Sequence, residues 1–120
     1  MSAESVGPIT RLVRAFFYSM RGLRGALRTE GALRLEVAIL AAVIPAAWLL
    51  KSMALERALL ISSWMLVIVV ELVNSAIETA VDRIGPEHNE LSGRAKDIGS
   101  AAVFSSIVLA ASVWLILLAD

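Results

Sequence analysis

From Ile98 to Ala119 the chain runs without a single Asp, Glu, Lys, Arg or His. A helix crossing the hydrocarbon core of a bilayer needs about 20 such residues. At that depth every backbone N–H and C=O must find its partner inside the segment itself, so the run is expected to be helical. Two further stretches read the same way, roughly 33–50 and 58–81. The first has Arg34 and Glu36 near its start and Pro45 inside, and proline is tolerated in membrane helices because neighbours satisfy the freed carbonyl. The chain is 58% hydrophobic, where about 45–50% is typical of a soluble domain. These features predict an all-α integral membrane protein, a single membrane domain over 1–120 with three transmembrane helices.

The segment before the first span is also helical in pattern but too polar to cross. Over about 8–28, Ile9, Leu12, Val13, Phe16, Met20, Leu23 and Leu27 recur at helical spacing. Arg11, Arg14, Arg21 and Arg28 take the other side. An apolar face opposite an arginine-rich one suits a helix lying in the membrane interface; a helix packed on a soluble partner is the alternative. Residues 1–7 read as a disordered tip, Thr29 and Gly31 as a break, 51–57 (KSMALER) as a short turn, and 82–97 as a loop opened by Gly85-Pro86. No signal peptide is expected, since the first long apolar run starts only near Val37. Lys and Arg cluster in the N-terminal segment and the 82–97 loop, whereas the opposite side has Lys51 and Arg57. The positive-inside rule therefore puts the N-terminus and that loop in the cytoplasm.

The second span breaks the apolar rule. In VIVVELVNSAIETAVDRIG, which starts at Val67, the residues Glu71, Asn74, Glu78 and Asp82 step by three and four and share one helix face, bordered by Ser75. An ionised carboxylate in hydrocarbon costs about 2.5–3.5 kcal/mol on insertion scales. The stripe must therefore face protein, a watery cleft or a cation. Self-association into a closed ring would hide it, and Ser62, Ser63, Gly99, Ser100, Ala101, Ala102, Ser105 and Ser106 would allow close helix approach. Serving only as oligomerisation glue is the plain alternative, yet carboxylates without a basic partner glue poorly. Oxygen ligands of this kind suit Mg²⁺, which is held by one or two carboxylates plus substrate phosphates. Glu71 sits deepest and Glu78 about two turns nearer the cytoplasm. That depth difference suits Glu71 to proton acceptance and Glu78 to a metal. In SGRAKD, Lys96 could meet a phosphate as a point charge; a solvated Lys96–Asp97 pair is the other reading.

Other chemistries are excluded. There is no cysteine and one histidine, His88, so no thiolate site and no His-cluster metal site can form within one chain. Zero net charge gives nucleic acid no electrostatic footing. No Walker A motif and no soluble-kinase signature is present.

Three stretches, RLVRAFFYSMRGLRGALRTEGALRLE, LLISSWMLVIVVELVNSAIETAVDRIG and ELSGRAKDIGSAAV, closely resemble the bacterial integral membrane diacylglycerol kinase family. The resemblance runs from about Arg11 into the third span. It implies a homotrimer, each subunit with one amphipathic surface helix and three membrane helices, in the bacterial inner membrane with active sites facing the cytoplasm. It implies transfer of the ATP γ-phosphoryl group to the free hydroxyl of diacylglycerol, giving phosphatidic acid in phospholipid recycling, with Mg²⁺ as cofactor. By the same resemblance Glu71 is the catalytic base, and Glu30 and Glu78 hold the metal bridging the ATP phosphates. Arg11, Tyr18, Asn74, Lys96 and Asp97 contact the nucleotide, with Glu87, His88 and Asn89 at its nucleoside end. Arg11, Ser19, Arg24, Glu36, Glu71 and Ser100 form the lipid site. The chain departs from the family pattern at Met20, where tryptophan is common, and at His88-Asn89, where an aromatic residue and then histidine precede ELSG. A polyisoprenol kinase acting on undecaprenol, within the same superfamily, is the nearest alternative. A small cation-coupled transporter is a more distant one, which leaves the arginine helix and the GRAKD segment without a role.

Overall fold

The computed structural model describes residues 5–120, so the expectation of a disordered tip at 1–7 falls largely outside the described residues. Four helices follow in order: α1 Pro8–Thr29, α2 Gly31–Leu50, α3 Ala54–Ile84 and α4 Glu90–Ala119. The helices α2, α3 and α4 are each long and apolar enough to cross a membrane.

Each corner is shorter than the sequence pattern suggests, and each has a local cause. Between α1 and α2 only Glu30 leaves the helical region, at φ −109° and ψ 106°. Arg34 folds back there, its Nη1 donating to the carbonyls of Leu27 at 2.8 Å and Arg28 at 3.0 Å. A helix end leaves its last carbonyls without partners, and the guanidinium supplies donors for two of them. Between α2 and α3 the turn is confined to 51–53 rather than 51–57. Arg57 already lies on α3, donating from Nε to Lys51 O at 2.7 Å while its guanidinium sits 4.0 Å over the Trp48 ring. Pro45 is accommodated inside α2 without ending it.

The largest difference concerns the segment expected to be a loop over 82–97. The helix α3 continues to Ile84 and α4 starts at Glu90, leaving 85–89 as the connection. Gly85, at φ 144°, takes a backbone conformation that favours glycine and ends α3. Asn89 then starts α4, its side chain accepting from the N–H groups of Leu91 (2.9 Å) and Ser92 (3.2 Å). Polarity alone does not break a helix: Glu90, Leu91, Arg94, Ala95 and Lys96 are all favourable helix formers. With 31 residues, α3 is about 46 Å long, longer than the ~30 Å hydrocarbon layer. Its polar end therefore reaches beyond the apolar depth.

The central element is α3, packed against α2 on one side and α4 on the other. Leu33, Val43 and Ala47 of α2, Leu60, Val67 and Ile68 of α3, and Ala110 of α4 form the buried apolar contact. Two indoles stitch the layers through buried backbone: Trp64 Nε1 donates to Glu36 O at 2.8 Å, and Trp114 Nε1 to Leu60 O at 3.2 Å. No residue of α1 is buried. The described residues span 60 × 43 × 21 Å, so across the thinnest direction the molecule is about two helix diameters deep.

Candidate active site

The polar stripe on α3 is graded in burial. Glu71, Asn74 and Ser75 are buried, Glu78 is half-buried and Asp82 is exposed. Periodicity explains this: the face that carries Leu60, Val67 and Ile68 into the packing further along α3 carries these polar groups as the helix runs on. Asn74 fits because the facing residue on α4 is Gly99, where an added Cβ would collide with the Asn74 side chain. The close approach that small residues permit is realised there.

The groups around Glu71 are carboxylates and neutral polar atoms. Glu30 and Glu78 are its charged neighbours, and Glu71 is in turn the charged neighbour of Glu36, buried on α2. Asn74 Nδ2 donates to Glu78 Oε1 in a long bond of 3.4 Å. Among the described residues three buried side-chain atoms have no hydrogen-bond partner: Glu36 Oε2, Asn74 Oδ1 and Ser75 Oγ. Each such atom carries a cost of about 1–3 kcal/mol, so three in one neighbourhood mark a place shaped for something other than internal packing. A cleft of about 530 Å³ opens beside them between α1 and α3, lined by Gly22, Gly25, Thr29 and Glu30 on one wall and Ser75, Ala76 and Thr79 on the other. Among the described residues no three His, Cys, Asp or Glu side chains converge tightly enough to hold a metal unaided.

A second hollow, of about 280 Å³, lies at the corner between α3 and α4. Glu87, His88, Asn89 and Lys96 line it together with Asp82. Lys96 lies on the polar start of α4, before the apolar run that begins at Ile98. It pairs with Asp82, Nζ to Oδ1 at 2.6 Å, and not with its neighbour Asp97. The hydrogen bond to Asp82, then its charge, holds the ammonium above the usual lysine range.

The structure thus gathers Glu30, Glu36, Glu71, Asn74 and Glu78 at one place, and Glu87, His88, Asn89 and Lys96 at another. The remaining residues expected at the site line neither of these two hollows. Arg11, Tyr18 and Ser19 are exposed on α1; the Ser19 hydroxyl donates to Ala15 O, and Arg21 lies over the Tyr18 ring. Arg24 lines a small hollow with Phe17, Met20 and Arg21. Asp97 and Ser100 are exposed on α4. Three features were not singled out from the residues alone: the pairing of Asp82 with Lys96, the orphaned Ser75 hydroxyl, and the Trp64 indole braced on Glu36. Trp64 lies two turns before Glu71 on the same helix face, a spacing that could have shown it.

Comparison with known proteins identifies the family. Residues 17–118 match the prokaryotic diacylglycerol kinase family. The diacylglycerol kinase of Escherichia coli K12 is 55% identical over 117 residues, covering 97% of this chain and 95% of that protein. The diacylglycerol kinase of Haemophilus influenzae is 46% identical over 106 residues, covering 88% and 90% of the two chains. That of Pseudomonas aeruginosa is 42% identical over 106 residues, covering 88% and 86%. A match spanning the carboxylate stripe, the α3–α4 corner and nearly all of both membrane hairpins leaves one assignment: the chain belongs to the prokaryotic diacylglycerol kinase family.

Proposed function

We propose that this protein is an ATP-dependent lipid kinase that phosphorylates the free hydroxyl of diacylglycerol to give phosphatidic acid. The observation that carries the reading is the buried Glu71, set among carboxylates and neutral polar atoms on α3, in a chain of this family. Glu71 accepts the proton of the lipid hydroxyl as that oxygen attacks the γ-phosphorus. The bond from the γ-phosphorus to the β–γ bridging oxygen breaks, and ADP leaves. Phosphoryl transfer of this kind depends on positioning and charge neutralisation more than on covalent chemistry. Asn74 orients the nucleotide through its amide, Lys96 meets a phosphate, and the 87–89 corner takes the nucleoside.

The residues present fit Mg²⁺. Glu30 and Glu78 are oxygen donors flanking Glu71, and the Asn74 amide donates to Glu78 Oε1 and so orients that carboxylate. Two carboxylates completed by phosphate oxygens are the usual Mg²⁺ arrangement. When bound, Mg²⁺ neutralises charge on the transferring phosphate. Glu30 and Glu78 would hold it.

The working form is a homotrimer in the bacterial inner membrane. A molecule about two helices thick, with Glu78 only half-buried, supports self-association, since further copies could cover what one chain leaves open. Sharing of sites between subunits would also let the exposed Arg11, Tyr18, Ser19, Arg24, Asp97 and Ser100 contribute to one centre. The helix α1 lies in the cytoplasmic interface, with Ile9, Leu12, Val13 and Phe16 in the acyl boundary and its arginines towards headgroups. There it can hold the glycerol group of the acceptor at the depth of Glu71. The cytoplasmic side is the one bearing α1 and the α3–α4 corner, by its excess of arginine and lysine.

The test is transfer of labelled γ-phosphate from ATP to lipid in mixed micelles. Diacylglycerol should be labelled in the presence of Mg²⁺, and chelation with EDTA should abolish transfer. Labelling of undecaprenol but not diacylglycerol would move the acceptor to polyisoprenols. Ion-driven flux in proteoliposomes without ATP consumption would replace the kinase by a transporter.

A further inference from the structure

Asp82 belongs to the α3 stripe, yet the proposed reaction gives it no task. Its partner is Lys96, 2.6 Å away across the corner from the end of α3 to the second turn of α4. Both side chains line the hollow that also contains Glu87, His88 and Asn89. Glu78, one turn back along α3, is the other carboxylate whose charge Lys96 feels.

The pair is a poor brace. Its side chains are 43% and 63% exposed, and ion pairs so open to water contribute little to stability. The two helices are already joined by packing, with Asn74 seated on Gly99. What the pair fixes is a direction. Lysine is a compact charge on a flexible four-carbon stem, and alone it would sample many positions above the corner. An ammonium has three N–H groups. With one committed to Asp82, the other two are held at the hollow beside Glu78, ready for an anion.

We propose that Asp82 is a positioning residue for the nucleotide, holding the Lys96 ammonium where a phosphate of ATP is taken up. The inference deepens the kinase reading and rests on it. Asp82 touches no reacting atom and acts through Lys96.

The experiment compares kcat, the KM values for MgATP and diacylglycerol, and the thermal midpoint of the detergent-solubilised protein. The variants are Asp82→Asn, Asp82→Glu and the double exchange Asp82→Lys with Lys96→Asp. Loss of the charge in Asp82→Asn should raise KM for MgATP about threefold, leaving KM for diacylglycerol and the thermal midpoint unchanged. Asp82→Glu should recover most of the nucleotide affinity. The double exchange should stay folded and inactive, because the cation then points from the wrong helix. An unchanged or lowered KM for MgATP in Asp82→Asn would overturn the inference, as would activity restored by the double exchange, which would make the pair a mere brace. Wild-type protein that transfers no phosphate from MgATP to diacylglycerol would instead fail the kinase reading, and this inference with it.

Discussion

At Gly99 the absence of a side chain is what allows Asn74 to be buried, since any Cβ there meets the amide. A larger residue must either push α4 away from α3 or turn Asn74 out of the site. Gly99→Leu is expected to cost about 1–3 kcal/mol as an overpacking change and to lower kcat at least tenfold through the displaced amide. Thermal unfolding and initial rates on the same preparation check both. A fully active, equally stable variant would show that Asn74 has freedom the packing denies it. At this scale the sequence was partly legible. The spacing of Glu71, Asn74 and Glu78 places them on one face, because a helix aligns residues three and four apart, and that face is the one the structure turns inward. The partner of Asp82 was not legible, because Lys96 comes from another helix and its nearest acid in sequence is Asp97. The burial of Glu36 against the stripe was hidden for the same reason: only the α2–α3 packing brings it near Glu71.

At the scale of elements, local chemistry decides where each helix ends. The segment 82–97 reads as a loop by polarity, yet its only strong breaker is Gly85-Pro86, and Asn89 promptly starts the next helix. Substituting Asn89→Ala removes the acceptor of the Leu91 and Ser92 amides. It should cost about 1 kcal/mol of local stability, read as faster hydrogen exchange at those two amides with the middle of α4 unchanged. Equal exchange would mean that the corner is held by tertiary contacts. The same corner lines the hollow expected to take the nucleoside, so the variant should also weaken MgATP binding. The apolar spans were the most legible elements, because a charge-free run of membrane length has few alternatives. Helix ends were least so, because Arg34 and Arg57 extend helical order by folding back onto carbonyls that composition does not reveal.

For the whole molecule, the described residues form a flat body of 60 × 43 × 21 Å, a shape that the proposed trimer with shared sites would cover. Native mass spectrometry from detergent should therefore give a trimer, and inactive subunits lacking different site residues should regain activity when mixed. A monomer with full activity would contradict the shared site. The central claim is that Glu71 takes the proton from the lipid hydroxyl. It is tested most directly by the rate of phosphatidic acid formation from MgATP and diacylglycerol by Glu71→Gln, measured beside wild type on trimers of equal thermal stability. Removing a positioned base should lower kcat by about 10²–10⁴-fold. A variant that folds, assembles and turns over at the wild-type rate would contradict the account.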